Sequence, residues 1–551
     1  MGNVLVSSET LTQDLELGTS PTDIEQDKKK LLSRYYERGF LQAKITQTRL
    51  ELLPDFKSVD VIFHVDEGEL CRLYSLVFTG DLPSGQSSIE LRKKISFQDH
   101  DVINLIKLQE EVDMLLNPLR EEGYGFAHMK PHLRWVEDEI AIEYEIIKEN
   151  PVLIHNVEID ENHQKASPLA KRELSKLQNK PYRHSQLQTA RDHLLALGYL
   201  SEVDFSLSKT KNPGEADLLV RVTQSQPWQF SLSPMFVGNE GLILTGFLSH
   251  RNFLNLGLTT SASMQVSKWR QLFELSLWDP GLFSSINSSF FEIHHRQFQY
   301  VSFSQSRTGA SSIFTFPTLL FLKLGIGVSM DQVSLSEQIF MPKDNLRNAL
   351  SLFGIWDFSH THLPHRYGLQ IRNDVTYAGP LTFSSSSFDF INLRNRLKMW
   401  VLNGKNIQIS SRTETASLFP IGTKQAPLSE RYFLGGQGSI RGYLPRSIGP
   451  FLDHFQIGGI FSFIQSLELE FSFSKWIPFR NYIFIDAGNS FLNARDFISH
   501  PTLFASTGFG FLFSFLGFPL KVELGIPLAK APVSVPFDLY FGFAPSTHPL
   551  P

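Results

Sequence analysis

The chain has 551 residues, a length that suggests several domains, and its formal net charge is −5. A negative net charge does not indicate a nucleic-acid-binding protein, which would need a basic surface. The single cysteine, Cys71, excludes an internal disulfide framework. Phenylalanine is unusually frequent, with 47 residues, and most of them follow Trp228. A half of the chain that is rich in phenylalanine and modest in charge is typical of a β-sheet that faces lipid.

The first part of the chain contains a pattern that occurs three times. Each copy has an amphipathic helix that ends in a glycine followed by an aromatic residue, and strands come next. The glycines, Gly39, Gly123 and Gly198, lie 84 and 75 residues apart, and we expect each to end its helix in the left-handed conformation. The complete order is strand, helix, helix, strand, strand, and the matched repeat argues against three unrelated α/β domains. The predicted domains are residues 1–70, 71–149 and 150–226, and the predicted strands are residues 57–65, 73–78, 126–136, 140–147, 152–159, 203–207 and 216–222.

The first copy lacks its opening strand. Gly2 and Asn3, followed by Ser7 and Ser8, are similar to the end of such a strand cut just upstream. The start also lacks the basic and apolar segments of a signal peptide. We therefore expect Met1 to be an internal start, with a strand and a signal peptide upstream and room there for further copies.

From Trp228 onward the helical period disappears, and short alternating runs are separated by Gly, Asn, Ser and Pro. Around Leu467, leucine and phenylalanine fall on one side while glutamate and serine fall on the other. This alternation predicts an all-β domain over residues 227–551, with lipid on the apolar face and a lumen on the polar one. Closing the sheet would leave no edge unsatisfied in lipid. A soluble β-sandwich is the alternative, but it would expose too many phenylalanines.

A glycine-rich segment, residues 431–443, interrupts these strands. Arg441 lies between Ile440 and Gly442 there, so we expect it to be buried and to need a carboxylate, since an unpaired buried charge costs on the order of several kcal/mol. Glu468 and Asp486 are the candidate partners. A nucleotide-binding loop is excluded because the glycines miss the G-x-G-x-x-G spacing and no βαβ pattern flanks them. The candidate loop residues are Arg431, Gly435, Gly436, Ile440, Arg441, Gly442 and Tyr443.

The loop and the strands after it resemble the BamA/TamA family of outer-membrane protein assembly factors. In that family an Arg-Gly-Phe/Tyr loop folds back into a β-barrel lumen, and its arginine meets inward acidic residues. The resemblance implies that Arg441 pairs with Glu468 and Asp486. It also implies that the repeats are POTRA domains of β-α-α-β-β order and that the rest is a transmembrane barrel of 16 antiparallel strands, a number that fits at about 20 residues a strand with its turn.

Insertion of β-barrel proteins into the outer membrane is the function that this resemblance implies. Unfolded clients would add a strand to the edge of a POTRA sheet, in the segments that contain Phe126 and Val203. The barrel would lie in the outer membrane with the POTRA repeats on the periplasmic side. Clients and the lipid bilayer are the expected partners. The resemblance also allows accessory lipoproteins or an inner-membrane companion, between which the sequence does not decide.

The barrel is expected to open sideways at a seam between its first strand, residues 230–237, and its last, residues 537–543. Pro234 would weaken the seam because proline lacks an N–H for the ladder. The residues after Phe543 include three prolines and depart from the family pattern. The predicted seam residues are Phe230, Pro234, Phe537, Phe541 and Phe543.

No catalytic motif stands out. The sequence has no H-E-x-x-H, P-loop or G-x-S-x-G pattern, and the pairs His294-His295 and His360-Thr-His362 have no ligand partners at metal spacing. We expect these histidines to be loop or lumen residues, and we expect neither an enzyme nor a cofactor.

Two other functions stay open. A two-partner transporter would export one soluble client through the lumen, but three repeats without a plug helix before them argue against it. An organelle sorting factor shares the Arg431 motif but usually has fewer repeats. The sequence does not separate a general insertase from the TamA-like branch.

Overall fold

Three helix-and-strand repeats precede a long antiparallel sheet in the computed structural model. The chain forms two compact units, and the second contains this whole sheet. Among the described residues, no helix is both long enough and apolar enough to cross a bilayer. The prediction of a strand upstream of Met1 was based on Gly2, Asn3, Ser7 and Ser8, and these residues lie outside the described part. The structure describes residues 21–52, 59–137, 139–160, 167–282, 287–319, 321–337, 345–362, 365–380, 388–403, 407–422, 425–471, 479–515, 518–531 and 535–543.

The first repeat has one helix and two antiparallel strands in its described part. Helix α1 (Pro21–Glu37) ends before Gly39, and strands β1 (Lys44–Leu52) and β2 (Val59–Asp66) follow. The second strand matches the predicted one, whereas β1 was missed because Lys44, Gln47 and two threonines make its alternation of apolar and polar residues weak. The buried core residues are Leu31, Tyr35, Phe40, Ala43 and Val65.

The second repeat packs helices onto a three-stranded mixed sheet. Its opening strand runs parallel to the last strand, which separates it from an antiparallel edge strand. The prediction that Phe126 belongs to the edge strand is wrong. Turn hydrogen bonds from Gly125 N to Gly123 O (3.0 Å) and from Ala127 N to Tyr124 O (3.1 Å) delay the strand to His128. The elements are β3 (Arg72–Gly80), α2 (Ser88–Lys93), α3 (Leu105–Met114), α4 (Asn117–Glu121), β4 (His128–Val136) and β5 (Glu139–Ile147).

The third repeat has the same order with one extra short strand. Its sheet has the strand order β7-β6-β9-β8, so β8 is an edge strand and carries Val203. The three predicted helix-ending glycines, Gly39, Gly123 and Gly198, have φ angles of +93°, +105° and +78°. The elements are β6 (Leu153–Asp160), α5 (Pro168–Ser175), β7 (Lys180–Pro181), α6 (His184–Ala196), β8 (Leu200–Lys209) and β9 (Glu215–Gln224).

A closed barrel of sixteen antiparallel strands follows, and it confirms the predicted fold class. The short β18 extends the same barrel position as β17, because both pair with β19, so the two count as one strand of the sixteen. The strands are β10 (Trp228–Val237), β11 (Gly241–Phe253), β12 (Leu258–Val266), β13 (Arg270–Asp279), β14 (Ser288–Gln299), β15 (Ser304–Leu319), β16 (Leu322–Leu335), β17 (Leu346–Asp357), β18 (His360–His362), β19 (His365–Ala378), β20 (Phe390–Asn403), β21 (Ile407–Pro420), β24 (Phe461–Phe471), β25 (Phe479–Phe491), β26 (Phe504–Phe515), β27 (Phe518–Pro527) and β28 (Asp538–Phe543).

Between β21 and β24 the chain leaves the wall. This excursion contains a 3₁₀ helix (Leu428–Glu430) and a small hairpin of β22 (Phe451–Leu452) and β23 (Phe455–Gln456). One short helix, α7 (Ala494–Ser499), lies between β25 and β26. The excursion includes the predicted loop, residues 431–443.

Side chains alternate across the barrel wall as the sequence predicts. In β10 the side chains of Trp228, Phe230, Leu232 and Phe236 are exposed on the outer face, with Phe230 at 72% exposure. Such a face would be unfavourable in water but suits lipid, since apolar area transferred from water is stabilised by about 25 cal/mol per Å². Polar residues therefore turn inward, where they can form a site.

Candidate functional site: the luminal loop and the barrel seam

The loop lies against the inner wall at close range. Gly442 has a φ of +86°, a conformation that glycine adopts without strain. A Cβ added to Gly525 in β27 would lie 2.7 Å from Gly442 N, so neither position has room for a side chain. The two glycines therefore let the loop backbone touch the wall and bring the preceding residue, Arg441, to the inner faces of β24, β25 and β27.

Arg441 forms a two-pronged ion pair with Asp486. Its Nε donates to Oδ2 at 2.6 Å, and its Nη2 donates to Oδ1 at 2.8 Å. The Arg441 backbone N–H donates to the same carboxylate at 3.1 Å. The guanidinium also lies over the ring of Phe484, with 3.5 Å from Cζ to the ring centroid. This geometry holds both the position and the orientation of the arginine.

Two further carboxylates complete the surroundings of Arg441. Its Nη1 donates to Glu468 at 2.6 Å and to Glu523 at 3.1 Å. Burial by itself lowers the pKa of Arg441, but the hydrogen bonds and charge of Asp486, with Glu523 and Glu468, outweigh burial and raise the pKa above its ordinary value. Lys521 supplies a second cation, at 2.9 Å from Glu523. The arginine stays charged in this site.

Sequence reasoning missed Glu523. Its side chain is fully buried, and it accepts hydrogen bonds from Arg441 and from the Tyr482 hydroxyl at 2.7 Å. The signal was present, because Glu523 falls on the polar side of the alternating strand β27. Strand pairing, which puts β25 beside β26 and β26 beside β27, decides that it reaches Arg441.

The apolar residues of the loop fill the space around this ion cluster. Ile440 and Tyr443 are both fully buried. The Tyr443 hydroxyl lies 2.8 Å from the backbone carbonyl oxygens of both Ala505 and Ala529, to which it can donate. The loop is thereby held by packing as well as by charge. The buried cluster contains Leu434, Ile440, Tyr443, Ile448, Ile464 and Ala531.

The base of the loop is attached to a different part of the wall. Glu430 accepts from Arg307 and lies 3.2 Å from Arg347 Nε. Arg431, the first residue of the predicted loop, donates to two backbone carbonyls, Ala426 O at 3.0 Å and Ile457 O at 3.3 Å. Arg431 therefore stabilises the turn of the excursion, whereas Glu430 links it to β15 and β17. The role of Glu430 was not predicted.

The seam between the first and last strands is short. Within the described residues, β28 pairs with β10 at Val237, Phe236 and Met235 alone, whereas β10 and β11 pair over ten positions. Gly238 N donates to Leu539 O at 2.7 Å in the same register. Because N–H groups alternate along an antiparallel strand, Pro234 lies at a position whose N–H would point to the seam. Its missing donor thus falls on the side of β28.

Side chains at one end of the seam add to the backbone bonds. Asn239 N and Nδ2 donate to Asp538 Oδ1 at 3.1 and 2.8 Å. Phe537 lies just before β28 and not within the strand, so its prediction as a strand residue is wrong. Its backbone oxygen accepts from Asn239 Nδ2 at 3.3 Å. Phe541 faces outward with 48% exposure, and Phe543 ends β28.

Two protein-family models match parts of the sequence. A family model described as the Omp85 superfamily domain matches residues 252–544. The chain belongs to the Omp85 superfamily. A second model, described as the POTRA surface antigen variable number repeat, matches residues 2–68. The barrel and the family together indicate an outer membrane location.

Curated relatives of this Omp85 chain agree with the family. It is 22% identical over 528 residues to the outer membrane protein assembly factor BamA of Nitratidesulfovibrio vulgaris, covering 92% of this chain and 65% of that protein. The chain thus spans less than two thirds of that relative's length. It is also 24% identical over 403 residues to the mouse sorting and assembly machinery component 50 homolog, covering 68% of this chain and 84% of that one. These names describe assembly and sorting proteins rather than enzymes.

Solved structures share the Omp85 fold. BamA from Haemophilus ducreyi lacking POTRA domains 1-3 aligns with a TM-score of 0.67 at 17% identity, covering 86% of this chain and 99% of that one. CdiB from Acinetobacter baumannii aligns with a TM-score of 0.50 at 14% identity, covering 98% of this chain and 99% of that one. At these identities the alignments concern the fold alone.

The predicted client-binding strands of the Omp85 chain lie at sheet edges. β4 is an edge strand with Leu133 at 59% and Trp135 at 47% exposure. β8 is also an edge strand, but Val203 is buried, so its side chain faces the repeat's core. Across the described residues, no three His, Cys, Asp or Glu side chains are grouped as a metal site would need. His294 faces the lumen, 3.0 Å from Asp331.

Proposed function

We propose that this Omp85 chain inserts unfolded β-barrel proteins into the outer membrane through its seam. The observation that supports the proposal best is the imbalance in the pairing of β10. Ten of its residues pair with β11 and three with β28 among the described residues. The remaining length of β10, from Trp228 to Pro234, has backbone groups on the seam side that can pair with another strand.

The physics favours a client strand as the partner of that edge. Unsatisfied backbone groups in lipid cost roughly several kcal/mol each, so an edge at the membrane attracts any chain that can supply N–H and C=O groups. Opening the remaining seam breaks few bonds, each of which contributes about 0.5–1.5 kcal/mol net in water. A client hairpin would replace these bonds as it forms, so its own folding drives the reaction without a nucleotide.

The repeats would deliver the client on the periplasmic side. An edge strand can accept an extended peptide as an added strand. β8 has no proline between Leu200 and Lys209, whereas Pro131 removes one donor from β4. We therefore expect β8 to be the stronger docking edge. A photo-crosslinker at Asp204 or Ser206, both exposed on β8, should capture unfolded barrel proteins, and one at the exposed Ile89 of α2 should not.

A disulfide across the seam tests the opening step. Phe236 and Phe541 are direct partners with outward, exposed side chains, so replacing both with cysteine costs little packing. Hydrogen-bonded antiparallel partners lie about 5.5 Å apart at Cα, within the range of disulfides. The buried Cys71 would be replaced by alanine in every variant.

The matched control joins Phe236 to Leu242, its partner on β11, where the strands are already linked by a turn. We expect the oxidised seam pair to stop assembly of outer-membrane barrel proteins and reductant to restore it, whereas the control pair has no effect. Normal client levels with a fully oxidised seam would overturn the lateral-opening proposal.

A two-partner transporter, the alternative that the sequence left open, is the second candidate, and the shared barrel fold is compatible with it. The two functions predict different losses on depletion. An insertase would lower many outer-membrane proteins together, and a transporter would remove one secreted protein. Accessory lipoproteins and an inner-membrane companion would be identified by co-purification with the full-length chain.

A further inference from the structure

A chamber in the barrel lumen beside the base of the loop is unusually basic. It encloses about 550 Å³ and is bounded by the inner faces of β15, β17, β19, β20 and β21 and by the loop residue Tyr432. This volume is typical of a small-ligand site, for which the usual range is about 300–1,000 Å³. Five arginines face three carboxylates in its lining: Arg307, Arg347, Arg372, Arg394 and Arg396 against Asp374, Glu414 and Glu430.

Two carboxylates of the chamber form ion pairs with nearby arginines. Glu430 accepts from Arg307 and lies 3.2 Å from Arg347, which also has Asp331 behind it at 3.0 Å. Asp374 lies 3.0 Å from Arg372 Nη2. These pairs neutralise three of the arginines.

Glu414 is shared between two cations. Arg396 Nε donates to it at 2.9 Å, and Arg412 Nη1, just outside the chamber, lies 3.5 Å from the same oxygen. One carboxylate cannot neutralise both guanidinium groups. The inner faces of β20 and β21 therefore carry a surplus of positive charge around Glu414.

Arg394 is the arginine of the chamber lining that forms no ion pair with a described acid, although Asp374 stands opposite it in β19. No carboxylate oxygen of the described residues lies within 4.0 Å of its guanidinium, which instead lies 5.8 Å from the ring centroid of Tyr432. The side chain is exposed to the lumen, between Arg396 and Asn392 on the same face of β20. One of its N–H groups reaches the Tyr432 hydroxyl, and the others are available to a ligand.

Strand register also brings like charges together. Arg372 stands directly opposite Arg396 in β19 and β20, and Lys398 stands directly opposite Arg412 in β20 and β21. Like charges in directly opposed positions destabilise a sheet. Arg372 and Arg396 both line the chamber, so an anion between these two would reduce their repulsion, which is a second reason to expect a ligand here.

We propose that this chamber binds a phosphate group, with Arg394 and Arg396 as its principal donors. A guanidinium presents a planar fork of N–H groups that fits a phosphate with two hydrogen bonds, and several forks around one cavity suit a multivalent anion. A soluble phosphate compound and the headgroup of a lipid present the same chemistry. This proposal does not depend on the proposed insertase function.

The test uses the full-length chain folded in a zwitterionic detergent and titrated with sodium pyrophosphate, by calorimetry at constant ionic strength. We expect saturable binding that Arg394→Gln weakens at least tenfold. Arg394→Lys, which keeps the charge but loses the fork, should weaken it less. The control is Arg480→Gln, since Arg480 lies outside the chamber lining on β25 and has Glu470 at 3.5 Å. Heat-modifiable migration on gels verifies that each variant is folded.

The outcomes separate the sources of the phosphate. Binding of pyrophosphate that depends on Arg394 supports the site with a soluble ligand. If pyrophosphate fails and a short-chain phosphatidic acid binds with the same dependence, the ligand is a headgroup. Failure of both probes, or equal loss in Arg394→Gln and Arg480→Gln, would overturn the proposal. Neither result bears on the seam disulfide experiment, so the two proposals can fail separately.

Discussion

Replacing Arg441 with alanine is the sharpest test of the luminal loop. The substitution leaves Asp486 with no cation, and its side chain is fully buried. Glu523 keeps Lys521 at 2.9 Å, and Glu468 is 36% exposed, so most of the penalty falls on Asp486. Removing one partner of a buried pair costs about 3–5 kcal/mol. A cost of this size lowers the ratio of docked to released loop by a factor of roughly 10² to 10⁴.

The assay is hydrogen exchange of residues 431–443 in the folded barrel, combined with a double-mutant cycle. We expect Arg441→Ala and Asp486→Ala each to release the loop strongly. The double variant should lose far less than the sum, because it no longer has a buried unpaired charge. Arg480→Ala is the control, since that arginine is 43% exposed and its ion pair is long at 3.5 Å.

Two results would refute this reasoning. Unchanged protection of the loop in Arg441→Ala would mean that packing alone holds it. Additive effects in the cycle would mean that Arg441 and Asp486 act separately despite bond lengths of 2.6 and 2.8 Å. Loss of client assembly together with loop release would link this site to the proposed function.

Three further substitutions have smaller expected effects that the structure explains. Tyr443→Phe removes a hydroxyl that lies 2.8 Å from each of two carbonyl oxygens, so the melting temperature should fall by the equivalent of about 1–2 kcal/mol. Gly525→Ala would place a Cβ 2.7 Å from Gly442 N and should release the loop by about 1–3 kcal/mol, and unchanged exchange would contradict that contact. Hydrogen bonding to Arg120 lowers the pKa of Asp113. The second repeat should therefore lose the stabilisation from this pair as the pH falls through the depressed pKa. Hydrogen exchange of the repeat should show this acid-dependent loss, and Asp113→Asn should abolish it.

Much of the fold could be read from local patterns. Alternation in β24 and β27 predicts strands with polar inner faces, and glycine after a helix predicts Gly39, Gly123 and Gly198 as helix ends. The exceptions have local causes as well. Phe126 has the composition of a strand residue, but the turn that follows Gly123 holds the chain until His128.

The candidate site was only partly readable. Arg441 needed a carboxylate for a reason that any buried charge shares, and the family resemblance pointed to Glu468 and Asp486 in the strands that follow the loop. Glu523 lies 82 residues from Arg441, so no local pattern connects the two. Arg394 looks like any other strand arginine until the register of β19 and β20 places Arg372 opposite Arg396 beside it.

The sequence by itself determined the elements, their polar and apolar faces and the presence of a cation that must be neutralised, because these depend on neighbours one to four positions apart. The tertiary structure alone decided which acids meet Arg441, how few residues close the seam and which arginine of the chamber forms no ion pair. These outcomes depend on how the ends of a long sheet meet and on the stagger between its strands. Both are set by all sixteen strands together, since each pairing shifts the position of the next.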